Sequence, residues 1–429
     1  MPCTAVGKAG SKTHDVLSFQ GLLSRGPTTT VKLLNCGICE NCKSVGVGSD
    51  TMWSIWRVLL WSLNCLFIGK WPECDADGNP YAVGTHEASI AGTDLAGGYA
   101  AVIWILKADL DHLSKAYGLC HYNANRPCDF CPASAAEDAP VLMRSNCFRP
   151  DAQWKNMLIM PDAWRRSHDT FHYIFELPYL SNMTIEPDEL HIMHLGTTQY
   201  MLGSAFWSLC YQVLPGSPSE NMSNVWGCIV AYYSEHKVET QYSNLTLASF
   251  CDPATPHKDF PKLKGRGAES KDLVAPLLHT WSNFMRHGQH HDELVHTLLT
   301  KQLQIQDILH ENKRYAFLPN ALAEKVLETI EQLLETYTLL CNEADRNHVL
   351  LWNMAPKFHW LWHLGHRARY LNPRRGNCMI DEDFVGVAKT IVQSCASGTA
   401  AHNVPSSFID KYRWGLHMLN RYGDEFLRM

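Results

Sequence analysis

The stretch 354–393, MAPKFHWLWHLGHRARYLNPRRGNCMIDEDFVGVAKTIVQ, decides how the fold is read. A histidine-rich apolar run at helical spacing comes first. A basic turn follows at Asn372-Pro373-Arg374-Arg375-Gly376, and Asp381-Glu382-Asp383 then opens a second helical pattern. A carboxylate in the first turn of a helix, beside a basic loop, suits a divalent cation held against a phosphate backbone.

Working outward, 429 residues with 46% apolar and 10% aromatic content bury a large core and exclude a disordered chain. The net charge of −6 excludes a generally basic nucleic-acid coat, so DNA contact falls to local patches. One such patch is Lys258, Lys262, Lys264 and Arg266, and a second is Arg367, Arg369, Arg374 and Arg375. The first reads equally as a phosphate-contacting loop or a solvated basic turn. Sixteen cysteines occur without an uninterrupted apolar leader at the N-terminus, which predicts a reducing intracellular compartment. The apolar run 52–69 carries Arg57 and Asn64, each costly in lipid, and is expected in a soluble core rather than a membrane.

Residues 1–50 are Gly-, Ser- and Thr-rich and are expected to form a poorly ordered tail. Cys36, Cys39 and Cys42 could hold a metal with a ligand from elsewhere. Gly46-Val47-Gly48 lacks the third glycine and preceding strand of a nucleotide loop. Residues 51–135 are expected to form the first part of a core, with Tyr99–Leu106 (YAAVIWIL) as its buried strand. Helical patterns then fill 136–350, the clearest at 320–343, where apolar residues form one stripe and glutamates the other face. The core is expected to resume over 351–429. The fold class expected is therefore α/β plus α, a strand-containing core interrupted by a long helical insertion.

Asp109 ends the predicted strand, where α/β sheets present carboxylates to a crevice; a turn or cap role is the alternative. Cys128 and Cys131, two residues apart, can chelate one zinc from a tight turn, with Cys120, His121, His191 and His194 competing for the other positions. His359, His363 and His366 lack the adjacent glutamate of a zinc protease, since Trp360 stands there. They read as an amphipathic core helix with His363 packed inside.

The order of these features resembles transposases of the CACTA and related DDE superfamilies. The matching places are Ala108-Asp109-Leu110, where the family has Gly-Asp-Leu, then Cys128-x-x-Cys131, then Asp188-Glu189-Leu190-His191. Lys262–Glu269, His363-Leu364, Asn372-Pro373, Glu382 and Lys389 complete the series. The resemblance runs from about residue 51 to 415 and implies an RNase H-like core. It further implies Asp109 and Glu382 as catalytic acids, Mg²⁺ as the catalytic cofactor, structural zinc, DNA as partner, a nuclear location and possible homo-oligomers. The family's first acid sits on an opening strand that this sequence lacks. Asp50 is the only acid just before the apolar run, which predicts a degenerate or inactive strand transferase or nuclease. The alternative function is a non-catalytic zinc-stabilised module that binds DNA or protein.

Overall fold

The computed structural model describes residues 2–7, 10–22, 32–39, 43–44, 50–167, 172–396 and 398–422. Three strands, β1 (Pro2–Gly7), β2 (Gly10–Gln20) and β3 (Lys32–Cys39), form an antiparallel meander in the order β1-β2-β3. Among the described residues ten longer helices follow: α1 (Thr51–Ile68), α2 (Leu110–Tyr117), α3 (Thr198–Ser208), α4 (Pro218–Glu235) and α5 (Val274–Phe284). The others are α6 (His290–Glu311), α7 (Asn320–Arg346), α8 (Lys357–Arg367), α9 (Met379–Ala396) and α10 (Val404–Tyr422).

The structure overturns the RNase H-like α/β expectation. Such a core needs a multi-stranded sheet with parallel neighbours, and the described residues offer only the small antiparallel meander. The segment 99–106 is not a central strand. Tyr99, Val102 and Trp104 are exposed, and the segment makes a single-residue bridge from Leu106 to Ile185. Its backbone ties Ala101 N–H to Leu66 O and Leu106 N–H to Thr184 O, at 2.8 and 2.7 Å. Strand propensity measures fit to a half-buried pleated surface, and no neighbouring strand supplies one here.

The N-terminal region also departs from expectation, because the three strands lie inside the stretch read as a tail. Cys36 and Cys39 fall in β3, while Cys42 and Gly46-Val47-Gly48 lie outside the described residues. Asp50 caps α1 by accepting from Trp53 N–H at 3.1 Å, a structural duty. The meander packs against α9 and α10, forming a small second core from Phe384, Val392, Val404, Phe408 and their neighbours, with Leu34 against it. Lys32 of β3 pairs with Asp381 of α9, and Tyr412 OH donates to Lys32 O at 2.8 Å.

The main core is helical. α3 is buried along nearly its whole length, and its Gln199 amide is satisfied inside by donating to Gly265 O and Ser270 Oγ. The 320–343 pattern appears as α7, burying Val326, Ile330, Leu333, Leu334, Tyr337 and Leu340 against α6 and α8. Gly203 of α3 lets the chain at Lys262–Leu263 approach, since a Cβ there would lie 2.8 Å from Lys262 Cα and Leu263 N. α1 buries only Trp56 and is long and apolar enough to cross a membrane, while Arg57 pairs with Asp77 and Trp61 donates to Cys74 O.

One buried ion pair fixes α8. Arg367 donates to Glu186 Oε2 at 3.0 and 3.2 Å and to Met183 O at 2.8 Å, with its guanidinium over the Phe130 ring. Burial pushes the Glu186 carboxyl up, and Arg367 opposes that push. Removing one member strands the other charge. Arg367→Met is therefore expected to cost about 3–5 kcal/mol in denaturant titration, and adding Glu186→Leu should recover most of it. An Arg367→Met protein as stable as the parent would show that the pair is not buried as described.

Candidate metal centre and acidic cleft

Cys128 and Cys131 meet His359 and His363 in the interior, all four buried, with their donor atoms within 4.8 Å of one another. Cys128 Sγ lies 3.3 Å from His363 Nε2, and Cys131 Sγ lies 3.3 Å from His359 Nε2 and 3.4 Å from His363 Nε2. The two Nε2 atoms are 3.2 Å apart. A tetrahedral zinc with Zn–S about 2.3 Å and Zn–N about 2.0–2.1 Å sets neighbouring donors roughly 3.3–3.8 Å apart. The group fits such an ion and could hold a metal such as zinc.

Local structure explains the convergence. His359 and His363 are four apart on α8, so both face one side of the helix. The two cysteines leave a tight turn in which Phe130 N–H donates to Cys128 Sγ at 3.3 Å. His359 Nδ1 faces Ser145 O at 3.1 Å, which turns Nε2 toward the thiols. Trp154 and Phe130 close the surroundings, with ring centroids 4.5 Å from His359 and 5.1 Å from His363. Without a cation, burial pushes the Cys128 thiol well up, and burial with His359 beside it pushes His363 well down. A divalent ion reverses the thiol preference by favouring thiolates, while neutral imidazole already suits it.

The ligand set corrects the expected one. His191 pairs with Asp188, and His194 Nε2 faces Glu189 Oε1 at 3.2 Å, so neither completes the cysteine pair. Cys120 and His121 lie outside the group too: Cys120 N–H donates to Asp129, and His121 faces Asp111. The two histidines that do complete it had been read as core packing. His-x-x-x-His on a helix was the signal available, since that spacing is common at structural zinc.

A second cluster surrounds His191, in the π-helical turn Leu190–Thr197 that leads into α3. Its Nε2 is 3.8 Å from Glu382 Oε1. Burial lowers the ring's pKa, but the hydrogen bond and charge of Asp188, joined by the charges of Asp109 and Glu382, leave it raised. Asp109 and Glu382 thus act on one imidazole although 273 positions separate them (382 − 109). Lys357 is brought down to about 8 by burial and by Lys262, against Asp188 and Asp109.

The carboxylates here are largely committed. Asp109 caps α2, accepting from His112 N–H at 2.7 Å. Asp188 accepts from Leu190 and Cys378 N–H through one oxygen and from His191 through the other. Asp381, beside Glu382, is paired with Lys32 and Lys107. Burial lowers Lys32 to about 7 and lowers Lys107 as well, so this pairing is sensitive to pH.

Of the expected DNA-binding residues, Lys264 and Arg266 are exposed, and Lys262 is half-buried over the Tyr200 ring. Arg374 instead reaches Glu189 at 3.1 and 3.3 Å, and Arg375 donates to Arg314 O. The basic turn 372–376 is therefore tied into the fold. Burial would push the Glu189 carboxyl up, but His194, Arg374 and Asn377 hold it at about 2.

Comparison of the chain with protein-family models, curated proteins and solved structures gave no match.

Purified protein is expected to carry about one zinc per chain, lost in His363→Ala and Cys128→Ser but kept in His191→Ala and His194→Ala. Metal analysis showing the reverse pattern would restore the other ligand set. For His191, a raised folded pKa means that the stabilisation is complete below the unfolded value near 6.5 and is lost as pH climbs through the raised one. NMR titration should place His191 above 6.5, and Asp188→Asn should move it below.

Proposed function

We propose that this chain is a transposase-derived, zinc-stabilised DNA-binding protein whose acidic cleft does not sustain two-metal strand transfer. The observation that carries the reading is the buried Cys128, Cys131, His359, His363 group. Four protein ligands fill a tetrahedral zinc and leave no position for water or substrate, so the metal's role is to hold 128–131 against α8. DNA contact is assigned to the exposed Lys264 and Arg266, with the half-buried Lys262 beside them, whose phosphate contacts need no base reading.

Loss of strand transfer is supported by the cleft's chemistry. Two-metal catalysis needs carboxylate oxygens free to bridge ions. Asp188 has both oxygens engaged, Asp381 is neutralised by lysines, and Asp109 serves as a helix cap. A second reading, a Mg²⁺-dependent nuclease, is favoured by Glu382 lying 3.8 Å from His191, whose imidazole the charge of Asp109 also raises.

Duplex DNA affinity is expected to fall steeply with salt and to drop roughly tenfold or more when Lys262, Lys264 and Arg266 are all changed to alanine. Glu382→Gln should leave it intact, with only weak nicking in Mg²⁺ or Mn²⁺. Robust metal-dependent strand transfer, abolished by Asp109→Asn or Glu382→Gln, would establish the enzyme instead.

A further inference from the structure

His194 also borders a cavity of about 440 Å³, which lies within the usual size of small-ligand sites. The His194 Nε2 faces Glu189, and its Nδ1 is buried and has no partner. Gln306 lines the same cavity, and its Nε2, a donor, is likewise buried without a partner. Two unmatched buried polar atoms on the residues of one cavity are costly unless a ligand supplies their complements.

The cavity also has an aromatic wall. Tyr232 and His236 stack with centroids 4.0 Å apart and planes 8° from parallel. The His236 ring is held by its Nδ1 at 3.2 Å from Tyr232 O. His279 lies against Tyr232 at 5.4 Å, so the exposed His236 ring carries the outer face of the stack. Asp307 and Glu239 add carboxylates that accept amino hydrogens, while of the lining cations Lys271 pairs with Asp272 and Arg374 with Glu189, and Lys237 adds a third.

We propose that this cavity is a nucleobase subsite, taking one amino-bearing base stacked on His236 with its edge read by Gln306, His194 and Asp307. The base belongs either to a free nucleoside monophosphate or to a single-stranded nucleic acid. This assignment is independent of whether the acidic cleft cleaves DNA.

Calorimetry with AMP and anisotropy with two single strands of about twelve nucleotides test it on the full chain. One strand carries a central adenine, the other an abasic residue at that place. AMP should bind, or the adenine strand should bind more tightly than the abasic one; the first outcome identifies a free nucleotide and the second a strand. In either case His236→Ala should weaken binding roughly 5- to 150-fold, the range that base–aromatic stacking covers. His236→Phe should restore it, and Gln306→Leu should weaken it without lowering the melting temperature. Silence of AMP together with equal binding of the two strands would overturn the proposal, as would binding indifferent to His236→Ala.

Discussion

The structure depends on one convergence: two thiols from a turn at 128–131 and two imidazoles from α8, desolvated in the same place. Four polar donors without a counterpart would be a poor core, because their mutual hydrogen bonds cannot satisfy thiols and imidazoles at once. A divalent cation would resolve that conflict. It would also make α8 a fixed reference for everything that leans on it. Arg367, one turn beyond His363, clamps Glu186, and Lys357, at the helix start, lies against Gly196 of the π-helical turn.

That turn divides the functional surfaces. His191 faces Asp188 and Glu382, whereas His194, three residues on, faces Glu189 and the cavity. Histidines three apart on an α-helix would share a face, and an i→i+5 turn shifts the register between them. π-Helical turns are often found where function demands unusual geometry. Here the turn sets an acidic cluster and a mixed polar cavity on one short segment, both braced by buried charge pairs.

Much of the helical body was legible because its signals are local. The stripe Val326, Ile330, Leu333, Leu334, Tyr337 specified α7, and Pro319 before it marked the start. The Cys128-x-x-Cys131 spacing likewise announced a chelating turn. What failed was non-local. YAAVIWIL had strand composition but no strand to pair with, and GSKTHDVLSFQ had a partner on each side without the alternation that advertises one. The meander takes its core from helices at least 340 positions away (379 − 39), which no short window can reveal. The two histidines that meet the cysteines were missed for a related reason. Proximity in sequence favoured His191 and His194, 60 positions from Cys131 (191 − 131), over His359 and His363, 228 away.

X-ray absorption at the zinc edge of the purified chain tests the central claim most directly. The account predicts two sulfur and two nitrogen scatterers, at about 2.3 and 2.0–2.1 Å. A sulfur-only shell, an oxygen-rich shell with an open position, or protein that folds fully and takes up no zinc would contradict it.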